Sequence, residues 1–149
     1  MDIYSQILKQ NEVQKNYEDA LETIPESFIP VNMLYIPAII NKKEVDLFID
    51  TGAQISLMSL EMAKNCGIDY LIDYFVNGEV KGIGKQDIIG KIHMVDVGIG
   101  DVSIPCGFTI INNSKDIILG LNMLLSHGCI LDLKNKNLCY GNYKINFKN

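Results

Sequence analysis

Hydrophobic and polar residues follow two different periods along the chain, and the change falls near residue 30. Up to residue 24, apolar residues recur every three or four positions in a polar segment, a spacing typical of an amphipathic helix. These apolar residues are Val13, Tyr17, Ala20, Leu21 and Ile24. Pro25 and Pro30 end the pattern, because proline disfavours helical geometry in the residue before it. We predict a helical segment and connector over residues 1–30 and a main domain over residues 31–149.

Beyond residue 30 the pattern is typical of short β-strands, with alternating or wholly apolar runs bounded by turn residues. The predicted strands are Met33–Ile40, Val45–Asp50, Ile88–Ile99, Val102–Ile111, Ile130–Leu133, Leu138–Tyr140 and Tyr143–Phe147. Polar residues 41–44 join the first two strands as a hairpin. Short helices are predicted over Ser59–Cys66 and Leu121–His127, each followed by a glycine. The expected fold is mainly β, a small barrel with short helices, preceded by a helical N-terminal segment.

Composition and charge narrow the class of protein. The chain has 149 residues, 48% of them hydrophobic, and a formal net charge of -5, so it can form a core but lacks the basic surface of a nucleic-acid binder. No apolar run approaches the roughly 20 residues that span a bilayer, and the N-terminus lacks the pattern of a signal peptide. We expect a cytoplasmic protein, with the nucleus as a second candidate location, and no nucleic-acid or membrane partner.

The sequence predicts neither a cofactor nor a metal site. His93 and His127 are its only histidines, and neither forms a metal-ligand spacing with a cysteine. The four cysteines have no Cys-x-x-Cys spacing and lie beside apolar or turn residues. We therefore expect buried, reduced thiols.

The tripeptide Asp50-Thr51-Gly52 occurs once and ends an alternating apolar run. This order of carboxylate, small hydroxyl and glycine at a strand end places the aspartate on a tight loop that another backbone can approach closely. Alone it is a weak signal, because such an aspartate is more often a turn former. Ala53 and Gln54 keep the loop small and polar, and Ile118-Leu119-Gly120 supplies a second apolar strand that ends in glycine.

A glycine-rich hairpin lies between these two features and contains Val80, Lys81, Gly82, Ile83 and Gly84. The three motifs in this order resemble the retropepsins, the single-lobe aspartic proteases of retroviruses and their cellular relatives, over roughly residues 31–147. The resemblance implies a retropepsin-like barrel in which Asp50 is catalytic, residues 51–54 support its loop, residues 80–84 form a flap over the substrate, and residues 118–120 pack beside the loop. It also implies that Thr51 joins two such loops by hydroxyl-to-backbone hydrogen bonds. The plainer alternatives are an ordinary strand residue at 51 and a simple hairpin turn at 80–84.

A closer resemblance is to the retroviral-like domain of the DNA-damage-inducible ubiquitin shuttle proteins. It rests on the segments Pro25–Phe28, Met33–Ile36, Gly52–Gln54, Lys81–Gly84, Ile88–His93 and Leu119–Leu124. In that family a helical domain precedes the protease domain, so we expect residues 1–24 to be its tail. The family's ubiquitin-like and ubiquitin-associated domains are missing here. We therefore expect a piece of a longer protein, whose contacts with ubiquitinated proteins and the proteasome run through the missing domains.

One Asp50 per chain supplies one carboxylate, whereas aspartic protease chemistry needs two, so the active site is expected only in a two-fold symmetric homodimer. Two carboxylates a few ångströms apart resist ionising together, so the pair shares one proton and titrates as a unit. The ionised member takes a proton from a water molecule while the protonated member donates to the scissile carbonyl oxygen. The expected function is an aspartic endopeptidase, and the resemblance implies protein substrates, among them ubiquitinated or proteasome-directed ones.

Two alternatives for the function and one for the pairing of a strand stay open. The domain can be a non-catalytic dimeric adaptor or peptide-binding module in ubiquitin–proteasome shuttling, or a protease fold that has lost its activity. The alternating residues Tyr143, Ile145 and Phe147 fit a strand that pairs between subunits, but fit equally well an edge strand within one chain.

Overall fold

The computed structural model describes residues 2–75 and 88–149. The chain divides into two compact units, Met1–Asn32 and Met33–Asn149. The predicted flap, residues 80–84, lies outside the described residues. Within those residues, no helix combines the length and the apolar character that a bilayer span requires.

The first unit contains the predicted N-terminal helix, α1, which spans Ile3–Thr23. The side chain of Asp2 caps its first turn by accepting a hydrogen bond from the amide of Ser5 at 2.7 Å. The helix ends before a single 3-10 turn, Pro25–Phe28. None of the residues of α1 is buried.

The second unit is built on a closed barrel. Its sheet has the order β1-β2-β7-β3-β6-β5-β4, and β1 also pairs with β5, which closes every strand except β4 into a ring. The strands are β1 (Tyr35–Ile40), β2 (Lys43–Asp50), β3 (Leu57–Ser59), β4 (Ile72–Asp73), β5 (Ile88–Ile99), β6 (Val102–Ile111) and β7 (Ile117–Gly120). The mainly β, closed-barrel fold expected from the sequence is confirmed. Strands β3 and β4 were not predicted from the sequence.

Two short α-helices, a 3-10 turn (Asp69–Leu71) and a second sheet complete the described part of this unit. The helices are α2 (Leu60–Asn65) and α3 (Leu121–Ser126). The strands β8 (Ile130–Asp132), β9 (Asn137–Tyr140) and β10 (Tyr143–Asn146) form an antiparallel sheet in the order β10-β9-β8. Strand β10 therefore pairs within the chain, and its outer edge has no partner strand in residues 2–75 and 88–149.

The hairpin that leads to Asp50 is set by its turn. Asn41 and Lys42 both have positive φ angles, 49° and 67°, which is the geometry of a two-residue type I′ turn. Strand β2 therefore begins at Lys43, two residues before the predicted start at Val45. The side-chain amide of Asn41 also donates to the carbonyl of Cys66 at 2.8 Å, which ties the turn to the end of α2.

Side chains on the two faces of β2 pack into two different apolar clusters. Leu47 and Ile49 are buried in the main core of the barrel. Phe48 points to the other side of the strand and packs against a second, smaller cluster. The buried members of this small cluster are Ala53, Leu57, Ile111 and Ile118. Because side chains alternate along a strand, Asp50 lies on the same side of β2 as Phe48.

All four cysteines are free thiols, as expected, but their burial differs. Cys66 and Cys106 are buried, whereas Cys129 and Cys139 are only partly so, and for the second pair the expectation of full burial was wrong. Burial is the main cause that raises the pKa of the Cys106 thiol, to about 12.

A side-chain hydrogen bond joins β4 to β5. The Nε2 atom of His93 lies 2.8 Å from Oδ2 of Asp73, and Oδ1 of Asp73 accepts the amide of Phe75 at 2.9 Å. The hydrogen bond with His93, followed by that with Phe75, lowers the pKa of Asp73. Because this pKa is depressed in the folded state, the carboxylate stabilises the fold above its unfolded-state pKa, and this contribution is lost as the pH falls through the folded-state value.

We expect the substitution His93→Ala to raise the pKa of Asp73 towards its ordinary value of 3.8, because the largest cause of the shift is removed. The measurement is an NMR titration of the side-chain carboxyl carbons. Asp132 is the internal control, because its pKa is lowered mainly by Asn135 and should not change. An unaltered titration of Asp73 in the variant would contradict this assignment.

Candidate active site

Asp50 is the last residue of β2 and pairs in parallel register with Gly120, the last residue of β7. Its Oδ1 atom accepts a hydrogen bond from the amide of Gly52 at 2.9 Å. The side chain is half-buried, while Thr51 and Gly52 are exposed. One carboxylate oxygen is therefore held by the backbone of its own loop, at the surface end of the strand.

Residues 50–54, here called the Asp50 loop, are fastened to the start of α3. The amide of Leu121 donates to the carbonyl of Ala53 at 2.7 Å, and the amide of Asn122 donates to the carbonyl of Gln54 at 3.2 Å. The side chain of Ala53 is 1% exposed and anchors the loop in the small apolar cluster. The backbone of the Asp50 loop is thus fixed by the start of α3 and by the packing of Ala53.

The end of β7 requires a glycine at position 120 because neighbouring backbone atoms leave no room for a side chain. A Cβ atom there would overlap the carbonyl oxygen of Ile55 and would lie 2.8 Å from the carbonyl oxygen of Ala53. The φ angle of Gly120, -88°, is accessible to any residue. The close approach of two backbones, and not an unusual conformation, therefore explains this glycine.

Ser56 also belongs to the site, although its role was not predicted from the sequence. Its hydroxyl accepts the amide of Gly120 at 2.9 Å and donates to Oδ1 of Asn122 at 2.9 Å. Its side chain is buried, with 1% exposure. The available sequence signal was a single hydroxyl residue between Ile55 and Leu57, which is ambiguous without the fold.

The structure brings together most of the predicted site residues. Ile118 lies opposite Phe48 in the small cluster, and Leu119 lies opposite Ile49 in the main core. Gln54 and Thr51 are exposed, and the Thr51 hydroxyl has no hydrogen-bond partner in the described part of the chain. The roles assigned to these residues and to 80–84 stay predictions.

A groove of about 620 Å³ lies elsewhere on the barrel, against β1, β2 and β5. Lys148 lines it and forms an ion pair with Asp46, with Nζ 2.8 Å from Oδ1. None of its lining residues belongs to the Asp50 loop. Asp46 therefore provides a carboxylate on the same strand as Asp50 but outside the candidate site.

Comparison with known proteins identifies the class. The sequence model of the family described as "Aspartyl protease" matches residues 25–132. This match covers more than half of the chain and includes the Asp50 loop, β7 and the start of α3. The chain belongs to the aspartyl protease family.

Individual relatives narrow the assignment. The chain is 39% identical over 146 residues to "Protein DDI1 homolog" of Leishmania major, which covers 97% of this chain and 37% of that protein. It is 41% identical over 130 residues to "DNA damage-inducible protein 1" of Saccharomyces cerevisiae, which covers 87% and 30%. The chain thus spans about a third of the length of the curated relatives it matches.

A solved structure agrees with these sequence matches. The retroviral protease-like domain of Ddi1 from Leishmania major has a TM-score of 0.74 and 38% identity, and the match covers 80% of this chain and 97% of that one. The resemblance to the protease domain of the DNA-damage-inducible proteins, drawn from the sequence, is confirmed.

We expect the substitution Gly120→Ala to destabilise the protein by about 1–3 kcal/mol, the usual cost of overpacking, because the new methyl group would press on rigid backbone atoms. Unfolding in urea, followed by circular dichroism, measures this change. Gly98→Ala is the matched strand control, because a Cβ at Gly98 meets nothing closer than 3.5 Å. Equal stability losses in the two variants would contradict the close approach at Gly120.

Proposed function

We propose that this chain acts as a homodimeric aspartic endopeptidase, in which Asp50 of each subunit contributes one carboxylate. The observation that carries the proposal is the placement of Asp50 at the surface end of β2, with Oδ1 held by Gly52 and its backbone braced by Gly120. Asp-Thr-Gly occurs once in the sequence. A second such loop therefore requires a second copy of the chain, related by a two-fold axis.

The chemistry follows from bringing the two carboxylates together. Like charges at short distance resist ionising together, so the two Asp50 side chains share one proton. The ionised carboxylate takes a proton from water, and the resulting hydroxide attacks the scissile carbonyl carbon. The protonated carboxylate donates to the carbonyl oxygen, which gives a tetrahedral intermediate without a covalent bond to the enzyme.

The exposed face of the Asp50 loop supports the pairing. Thr51 is exposed beside Asp50, so its hydroxyl is available to the backbone of a second loop. Gln54 is also exposed and is available to the backbone of a bound peptide. The flap role predicted for residues 80–84 lies outside the described residues and stays a sequence-based prediction.

The substrate class and location are parts of the same proposal. We infer protein substrates that are ubiquitinated or directed to the proteasome, and action in the cytoplasm with the nucleus as a second location. The support is the resemblance to the DNA-damage-inducible ubiquitin shuttle proteins seen in the sequence, together with the similarity to proteins named as DNA damage-inducible.

We expect Asp50→Asn to lower peptide cleavage by a factor of about 100 to 10,000, because a positioned acid–base group is lost. Asparagine retains an oxygen that can accept the Gly52 amide, so folding should be preserved. The assay is cleavage of a proteome-derived peptide library, read by mass spectrometry. Asp46→Asn, on the same strand, is the control and should leave cleavage unchanged. Cleavage that persists in Asp50→Asn would contradict the proposed function. If the unsubstituted protein binds peptides without cleaving them, the adaptor alternative is favoured.

A mixing experiment tests the shared site. Unsubstituted and Asp50→Asn chains are mixed in equal amounts at constant total protein and allowed to exchange subunits. Random pairing leaves about a quarter of the dimers with two aspartates, so we expect about a quarter of the full activity. A site complete within one chain would retain about half. Analytical ultracentrifugation over the same concentrations should show dimers that dissociate on dilution, with a parallel loss of activity.

A further inference from the structure

We propose that Ser56 and Asn122 form a positioning pair that holds the Asp50 carboxylate in its reactive geometry. This inference rests on the proposed protease function and deepens it by assigning residues that do not touch substrate. The pair lies beneath the Asp50 loop, where β3, β7 and α3 meet. Its members act through the backbone of Gly120 and of the loop.

The buried hydroxyl of Ser56 makes two hydrogen bonds. Ser56 Oγ accepts the amide of Gly120 and donates to Oδ1 of Asn122, both at 2.9 Å. Gly120 and Ser56 are 64 positions apart in the sequence. The hydroxyl therefore fixes the end of β7 against the segment that leaves the Asp50 loop.

Asn122 connects the same hydroxyl to the loop a second time. Its Oδ1 atom also accepts the amide of Met123 at 2.8 Å, which fixes the side-chain orientation. The backbone amide of Asn122 donates to the carbonyl of Gln54 at 3.2 Å. Loss of the Ser56 hydroxyl would leave the amide of Gly120 without its partner and would remove the link between Asn122 Oδ1 and the segment that leaves the Asp50 loop.

The rate of peptide cleavage depends on how accurately the Asp50 carboxylate is placed. A displacement of about 1 Å in a reacting group can cost about a hundredfold in rate, because the reacting atoms no longer meet in the correct orientation. Gly120 pairs directly with Asp50 in the β2–β7 register. A shift of Gly120 is therefore passed to the residue that carries the catalytic carboxylate.

The chain offers a matched control for a purely structural role. Ser59 is also buried, with 4% exposure against 1% for Ser56. Its hydroxyl likewise accepts a backbone amide, that of Met62 at 3.1 Å, at the start of α2. Loss of either hydroxyl leaves a backbone amide without its partner, but only Ser56 is bonded to the frame of the Asp50 loop.

The experiment compares Ser56→Ala with Ser59→Ala in the dimeric protein. We expect Ser56→Ala to lower kcat about 10- to 100-fold with KM changed less than about twofold, since substrate contacts are retained. Ser59→Ala should lose thermal stability but keep kcat within about twofold. Asn122 is exposed, so Asn122→Ala provides a second variant if Ser56→Ala fails to fold. The double variant should be no slower than Ser56→Ala alone, because both substitutions remove one interaction.

An NMR measurement decides the proposal independently of activity. The Gly52 amide donates to Oδ1 of Asp50, so its proton chemical shift reports on the placement of the carboxylate. We expect Ser56→Ala and Asn122→Ala to move this resonance and Ser59→Ala to leave it in place. An unmoved Gly52 resonance in both variants, or equal kcat values in Ser56→Ala and Ser59→Ala, overturns the positioning role. Absence of Asp50-dependent cleavage in the unsubstituted protein would instead count against the protease function, with the Gly52 result still deciding the role of the pair.

Discussion

The site depends on one close backbone contact, in which Gly120 at the end of β7 lies against residues 53–55. Parallel pairing of β2 and β7 brings Asp50 and Gly120 to the same level. Only a residue without a side chain permits this approach. The loop that follows Asp50 can then take its hydrogen bonds from α3 through Ala53 and Gln54.

Burial makes these hydrogen bonds effective in fixing the loop. The amide of Gly120 and the hydroxyl of Ser56 lie beside the small cluster around Ala53 and Leu57, where water does not replace a lost partner. A satisfied hydrogen bond contributes about 1 kcal/mol, whereas a buried group left without one costs about 1–3 kcal/mol. The penalty for alternative arrangements therefore does more to fix the loop than the strength of any single bond.

The sequence predicted the parts of the fold whose signals are local. Strands β5 and β6 have 12 and 10 residues, long enough for their apolar pattern to be read, and the Asp50 loop follows an alternating strand. Strands β3 and β4 have three and two residues, too few to show any period. Ser56 was missed for another reason. Its partner Gly120 lies 64 positions away, so its role exists only once the barrel has formed.

In the single chain, one part of the candidate site is held in place by hydrogen bonds and the other part is exposed to solvent. Backbone atoms of Ala53 and Ile55 lie against Gly120, whereas Thr51, Gly52 and Gln54 are exposed and Asp50 is half-buried. A group that meets its own copy across a two-fold axis must be exposed in the single chain, and exposed side chains alone hold their positions poorly. In the proposed homodimer, the rigidity of the site would therefore come from groups that the second copy does not touch. In this chain those groups are Gly120 and Ser56, which are buried, together with the Asn122 side chain that accepts the Ser56 hydroxyl, and they join the Asp50 loop to β7 and α3.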